Sequence, residues 1–126
     1  MDAIAIIPGT STVRKVERPE PTLSRPDEIK ARIIRVGICG TDREEASGGR
    51  ADPPEGESDL VIGHEMLGEV VETGETVNRV RVGDLAIFTV RRGCGRCLPC
   101  AMERSDMCRT GEFRERGIRG LDGFQS

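Results

Sequence analysis

Four cysteines in the pattern Cys94-x2-Cys97-x2-Cys100-x7-Cys108 constrain this chain more than any other feature. They fall in a segment that carries Gly95 and Pro99 between them and too few apolar residues for a core of its own. One tetrahedral ion wrapped by four thiolates replaces the missing core and fixes the lobe, 93–109. Zinc suits this donor set, because it takes sulfur ligands, favours a tetrahedron and brings no redox chemistry. With all four positions filled by protein, such an ion is structural and offers no open face to a substrate. An iron–sulfur cluster is the rival, since Cys-x2-Cys-x2-Cys also opens some ferredoxin motifs. The x7 spacing and the lack of a proline after Cys108 count against it. Two disulfides or free buried thiols are the plainer alternative.

The rest of the composition narrows the field. A chain of 126 residues, 36% hydrophobic, makes one domain with a modest core. Phe88, Phe113 and Phe124 are the only aromatic residues, so the core is expected to be aliphatic and dominated by Ile and Val. The net charge of -3 is spread over interleaved acids and bases. That distribution lacks the basic footprint of a nucleic-acid binder. No stretch reads as a membrane span. Ala3 to Ile7 follows an acidic Asp2 and stops at Pro8, unlike a secretory signal. Five cysteines, an odd number in tight spacing, suit metal binding in the cytoplasm better than a disulfide framework.

Local patterns predict strands over 3–7, 12–18, 29–38 and 67–73. An extended, proline-rich connector covers 18–26, and 48–59 form a surface loop. Residues 40–47 read as a short helix capped by Thr41 or Asp42. Val80, Val82, Leu85, Ile87 and Val90 outline a hairpin-like unit turning at Gly83-Asp84. Many short strands with Gly and Pro punctuation give a mainly β fold, a barrel or sandwich. No Gly-x-Gly-x-x-Gly stands between a strand and a helix, so a phosphate cradle is not expected within this chain.

A second cluster carries chemistry. Cys39 lies outside the lobe, His64 is the only histidine, and Glu65 follows it. Taken singly, these are a small core residue, a hydrogen-bonded structural histidine and a solvated acid. Together they form the sulfur, imidazole and carboxylate set of a catalytic zinc, with a fourth position left for water or substrate. Adjacent His and Glu in an extended chain point to opposite sides, so both ligate only if the backbone turns, which Gly63 permits. Thr41 stands close enough in sequence to bring its hydroxyl to a reacting oxygen. Asp42 is a candidate to hold the second ring nitrogen of His64. Plain helix capping is the alternative role for both.

The segment Gly63-His64-Glu65-x2-Gly68-Glu69-Val70-Val71-Glu72-x-Gly74 resembles the zinc signature of the medium-chain alcohol dehydrogenases. Cys39-Gly40-Thr41-Asp42, Val82-Gly83-Asp84 and the four-cysteine lobe follow that family's order. Four further segments are similar to archaeal-type glucose dehydrogenases. These are Ile38 to Glu44, Val90 to Gly95, Asp106 to Gly111, and the tail from Glu115 through Gly117, Ile118, Leu121, Asp122 and Gly123 to Phe124. The resemblance implies that residues 1–126 are a GroES-like β-barrel catalytic domain with short helices and a structural zinc lobe. Cys39, His64 and Glu65 then surround a catalytic zinc, Thr41 lies beside the reacting hydroxyl, and Glu115 hydrogen-bonds the sugar. Without the resemblance, Glu115 reads as an exposed acid.

The implied reaction is oxidation of an aldose at C1, with hydride passing to NAD(P). Sorbitol, threonine or simple alcohol dehydrogenases share the zinc motifs and remain open. So does a non-catalytic, zinc-stabilised β-module. Family members are longer and carry a Rossmann cofactor domain and the closing barrel strands beyond this region. The chain therefore reads as an N-terminal piece, inactive alone, of a homo-oligomeric cytoplasmic enzyme.

Overall fold

The computed structural model describes residues 1–121. Of the tail motif, Asp122, Gly123 and Phe124 lie outside the described residues. The chain is mainly β, and among the described residues its strands form three three-stranded sheets.

In the first sheet, β1 (Asp2–Ile6) pairs antiparallel with β2 (Val13–Glu17) on one side and β4 (Leu60–Val61) on the other. Alternation along β1 buries Ala3 and Ala5, which pack on Val61 with Val16 alongside. Asp59, just before β4, is buried and takes ion pairs from Arg14 of β2 at 2.5 Å and from Arg18. The β1–β2 hairpin is thereby fastened to the segment that leads to His64.

The second sheet is β3 (Ile29–Val36), β5 (Met66–Thr73) and β6 (Leu85–Ile87), in the order β3-β5-β6. Met66, Gly68 and Val70 line the buried face of β5. The expected hairpin over 80–90 does not form. The turn at Gly83 exists, with φ of +95°, but β6 pairs with β5 and Val82 is exposed. The bonds from Gly83 N–H to Val70 O and from Val70 N–H to Asp84 O show why. The turn delivers the chain to β5 instead of folding it back on 80–82.

The core is aliphatic but not Ile-dominated. Among the described residues the buried apolar ones are Ala3, Ala5, Ile6, Leu60, Val61, Met66 and Val70. The β-branched run of β3 contributes little to it, since Ile34 and Val36 are exposed and Ile38 lies beyond the strand, also exposed. A continuous β-branched run signals strand formation, but it does not say which face is covered.

The third sheet was not evident from the pattern. It comprises β7 (Arg91–Arg92), β8 (Arg114–Arg116) and β9 (Gly120–Leu121), with β8 antiparallel to β7 and parallel to β9. Asp52, in the expected surface loop, forms an isolated parallel bridge with Arg119. No helix among the described residues is long and apolar enough to cross a membrane.

Candidate metal centres and the family they belong to

Register explains why Cys39 and His64 meet. Val36, at the end of β3, pairs with Met66, at the start of antiparallel β5. Residues just after Val36 therefore lie beside residues just before Met66. Gly37 N–H donates to Glu65 O at 2.7 Å and closes this corner. Gly63 turns the backbone with φ of +122°, a conformation that glycine adopts without strain. One Cys Sγ, one His nitrogen and one carboxylate oxygen from Cys39, His64 and Glu65 then lie within 4.8 Å of one another.

The details fit a metal. Cys39 Sγ is 3.1 Å from His64 Nε2, within hydrogen-bond distance, so the two donors face one another. His64 is buried and its Nδ1 has no hydrogen-bond partner, although Asp42 Oδ1 stands 3.6 Å away. Glu65 is exposed at the opening. An apolar recess lined by Val36, Leu67, Ile87, Phe88 and Val90 adjoins His64 and Glu65. Sulfur, imidazole and carboxylate are sound zinc donors, and three of them leave a position open.

Helix α1 (Gly40–Ala46) begins at this site, but neither Thr41 nor Asp42 is its N-cap. Cys39 is. Its Sγ accepts from Thr41 N–H at 3.3 Å, and Asp42 Oδ2 reaches back to accept Cys39 N–H at 2.6 Å. The sulfur takes the role a hydroxyl or carboxylate usually fills, and Asp42 supplies the other half of a capping box.

Sequence reasoning missed two glycines here. A Cβ on Gly37 would lie 2.5 Å from Glu65 Oε2, so the carboxylate occupies the space of a side chain. A Cβ on Gly117, at φ of +67°, would lie 2.4 Å from Gly63 O. Both signals were present as glycines near the candidate ligands, but their meaning depends on contacts between segments far apart in sequence.

The lobe contains the expected four thiols, with two short helices that sequence analysis left as loop: α2 (Leu98–Ala101) and a 3-10 turn at Ser105–Met107. All five cysteines of the chain are free thiols. The sulfurs of Cys94, Cys97, Cys100 and Cys108 lie within 4.8 Å of one another, and Cys94 and Cys100 are 4.0 Å apart. Tetrahedral ligands at ~2.3 Å from zinc stand roughly 3.8 Å from each other, so the cage is the right size. The Thr110 hydroxyl and the N–H groups of Arg96 and Cys97 hold the Cys94 thiol down to about 6. Thr110 also lowers Cys108, whereas desolvation pushes Cys100 up to about 11. Gly93 is forced by the cage, since a Cβ there would lie 2.4 Å from Cys100 Sγ.

Glu115 is not the exposed acid that the residues alone suggest. It is buried on β8, directly opposite Arg91, whose Nη2 and Nε donate to Glu115 Oε1 at 2.7 and 3.1 Å.

Residues 25–126 match the alcohol dehydrogenase GroES-like domain. The chain belongs to this family. As a member of the alcohol dehydrogenase GroES-like family, it is 42% identical to a glucose 1-dehydrogenase of Methanocella arvoryzae, a match covering 100% of this chain and 35% of that protein. It is also 42% identical to glucose 1-dehydrogenase 2 of Saccharolobus solfataricus, covering 98% of this chain and 34% of that one. Among solved structures it is similar to Haloferax mediterranei glucose dehydrogenase in complex with NADP, zinc and gluconolactone. There the TM-score is 0.82 and the identity 37%, covering 100% of this chain and 35% of that one. The chain spans about a third of the length of the relatives it matches.

Proposed function

We propose that this domain binds metal and sugar within a zinc-dependent, NAD(P)-linked dehydrogenase that oxidises an aldose, glucose at C1 foremost. One observation carries the reading: the donors of Cys39, His64 and Glu65 converge, His64 through its Nε2 beside the Cys39 sulfur, in a chain 42% identical to glucose 1-dehydrogenases. Residues 1–126 then form the catalytic domain, with the structural lobe at 93–109 and the nucleotide held by a Rossmann domain.

Cys39, His64 and Glu65 would hold the catalytic zinc, and the four lobe cysteines the structural one. Bound at the first site, zinc supplies Lewis acidity toward the substrate hydroxyl. The protein's own residues do the rest. Asp42 fixes the Cys39 backbone, and its Oδ1, 3.6 Å from His64 Nδ1, would close on that nitrogen to hold the ring's tautomer once the ion is bound. The Thr41 hydroxyl receives the proton of the sugar hydroxyl and passes it toward solvent. Glu115, whose Oε1 is engaged by Arg91, accepts a sugar hydroxyl at Oε2. Loss of that proton and of a hydride from C1 yields the lactone, with the hydride taken by NAD(P)+. A reducing cytoplasm accords with five unpaired thiols.

Metal counting tests the reading. Purified protein is expected to contain two zinc ions, falling to one in Cys39→Ser. One zinc in both proteins would remove the catalytic site from this domain. For the substrate, the full-length enzyme is assayed against aldoses, polyols, threonine and simple alcohols. Failure to oxidise any aldose would sink the glucose assignment.

A further inference from the structure

Arg91 makes more contacts than a surface arginine needs. Its Nε and Nη2 both donate to Glu115 Oε1, and its Nη1 donates to Asp106 O at 2.8 Å. Its guanidinium lies 4.1 Å from the centroid of the Phe113 ring, where Arg119 approaches at 5.3 Å. Asp106 lies in the 3-10 turn that leads into Cys108, the last thiol of the lobe. Glu115 lies on β8, beyond the lobe. One side chain therefore bolts the metal-binding loop to a strand outside it.

The strand continues the connection. β8 turns into β9 through Gly117, and that turn is locked by bonds from Ile118 N–H to Glu115 O at 3.0 Å and from Arg119 N–H to Glu115 O at 2.7 Å. Gly117 then rests on the backbone of Gly63 with no space for a methyl group between them. His64 is the next residue. From Cys108 to His64 the path is a hydrogen bond, an ion pair, a locked turn and a close backbone contact.

We infer that Arg91 is a positioning residue that couples the two candidate metal centres, so that filling the four-thiol lobe orders β8 and the backbone carrying His64. The inference rests on the proposed metal binding at the lobe. The β7–β8 ladder is short, pairing Arg91 with Glu115 and Arg92 with Arg114 and extended by one bond from Arg116 N–H to Val90 O, so a side-chain brace adds materially to it. Lysine at this position keeps one charge for Glu115. As a compact point charge it lacks the planar fork that reaches Glu115, the Asp106 carbonyl and the Phe113 ring together.

Amide hydrogen exchange with and without added zinc(II) tests this in the wild-type chain, in Arg91→Lys and in Arg91→Gln. In the wild type, one equivalent of zinc is expected to slow exchange in the lobe, at Met102, Arg104 and Cys108. It is also expected to slow Glu115, Arg116, Ile118 and Arg119, by about tenfold or more. In Arg91→Lys the lobe amides should still gain protection while the 115–119 group changes less than about twofold. The amides of Val70 and Gly83, outside this path, report whether each variant is folded. Equal zinc-induced protection of 115–119 in the wild type and both variants overturns the inference while leaving the lobe metal in place. Absence of zinc uptake by the wild type overturns the metal reading itself, and the coupling with it.

Discussion

Asp42 accepts the backbone N–H of Cys39 at 2.6 Å through one oxygen and stands 3.6 Å from Nδ1 of His64 with the other. One buried carboxylate thus addresses two candidate ligands on different segments. Asp42→Asn keeps the size and removes the charge. Expected is a 10- to 100-fold weaker metal affinity at the Cys39 site, roughly the cost of removing a carboxylate behind a histidine ligand. Cobalt(II) titration, followed by its visible bands, checks it. Unchanged affinity would confine Asp42 to helix capping.

Gly117→Ala is expected to destabilise the fold by about 2–3 kcal/mol. The new methyl would lie 2.4 Å from Gly63 O, and alanine would be strained at φ of +67°. Urea unfolding measures this. Gly95→Ala, also at positive φ but with open space around its Cβ, isolates the conformational part and should cost less.

Glu45 sits on α1 with 1% exposure, and neither of its carboxylate oxygens has a hydrogen-bond partner. Desolvation first, and then the charge of Asp42, push its pKa from 4.5 up to about 7, with Arg50 opposing and Glu44 adding to the rise. Between those two values the folded state binds more protons than the unfolded state. Stability therefore falls as pH rises from about 4.5 to about 7 and stays low above it. The loss is on the order of 3 kcal/mol. In Glu45→Gln this slope should vanish, and Glu45→Leu should be more stable than wild type at pH 8. Thermal unfolding between pH 4.5 and 8 decides. A slope that persists in both variants would assign it to other groups.

Asp59 works in the opposite direction. The Arg14 hydrogen bond, chiefly, and the Arg18 charge lower its pKa below 3.8, against the desolvation of a buried acid. Its stabilising effect is present above the unfolded value and is lost as pH falls through the folded one. This acid limb lies below the Glu45 window, so the two are separable. Asp59→Ala is expected to cost about 3 kcal/mol at neutral pH, because removing one partner strips a desolvated network of its anion.

Gly93→Ala is expected to weaken zinc binding in the lobe while sparing the Cys39 site, because its Cβ would lie 2.4 Å from Cys100 Sγ. A chelator competition that resolves the two ions provides the measurement.

The lobe was legible because its information is local. Four sulfurs within one short segment state a geometry that needs no knowledge of the rest of the chain. The mainly β character was legible from β-branched runs and turn residues. Donor chemistry and the family resemblance could single out Cys39 and His64, but their meeting depends on β3–β5 register, fixed by Val36 opposite Met66. The helix cap was misplaced because sulfur is a rare capping acceptor, and Asp42 was assigned to the start of the helix when it acts as the return half of the box. The exposed face of β3 and the missing 80–82 strand share a cause. Hydrophobic runs mark what can pair, while the pairing itself is decided by neighbours distant in sequence. The contacts of Arg91, Gly37 and Gly117 were not legible for the same reason.

The crossing of Gly63 and Gly117 has a consequence for anyone who would re-engineer this protein. Two main chains touch there without side chains to cushion them, so the corner has no mutational slack. Any library that varies position 63 or 117 starts from a destabilised fold, through positive φ at both and through the Gly63 backbone at 117. The segment around 50–58 is bridged to the rest through Asp52 and Arg119 and is otherwise largely exposed, so it can absorb variation. Selection for new specificity should find its freedom in that loop and its fixed reference point at the glycine crossing.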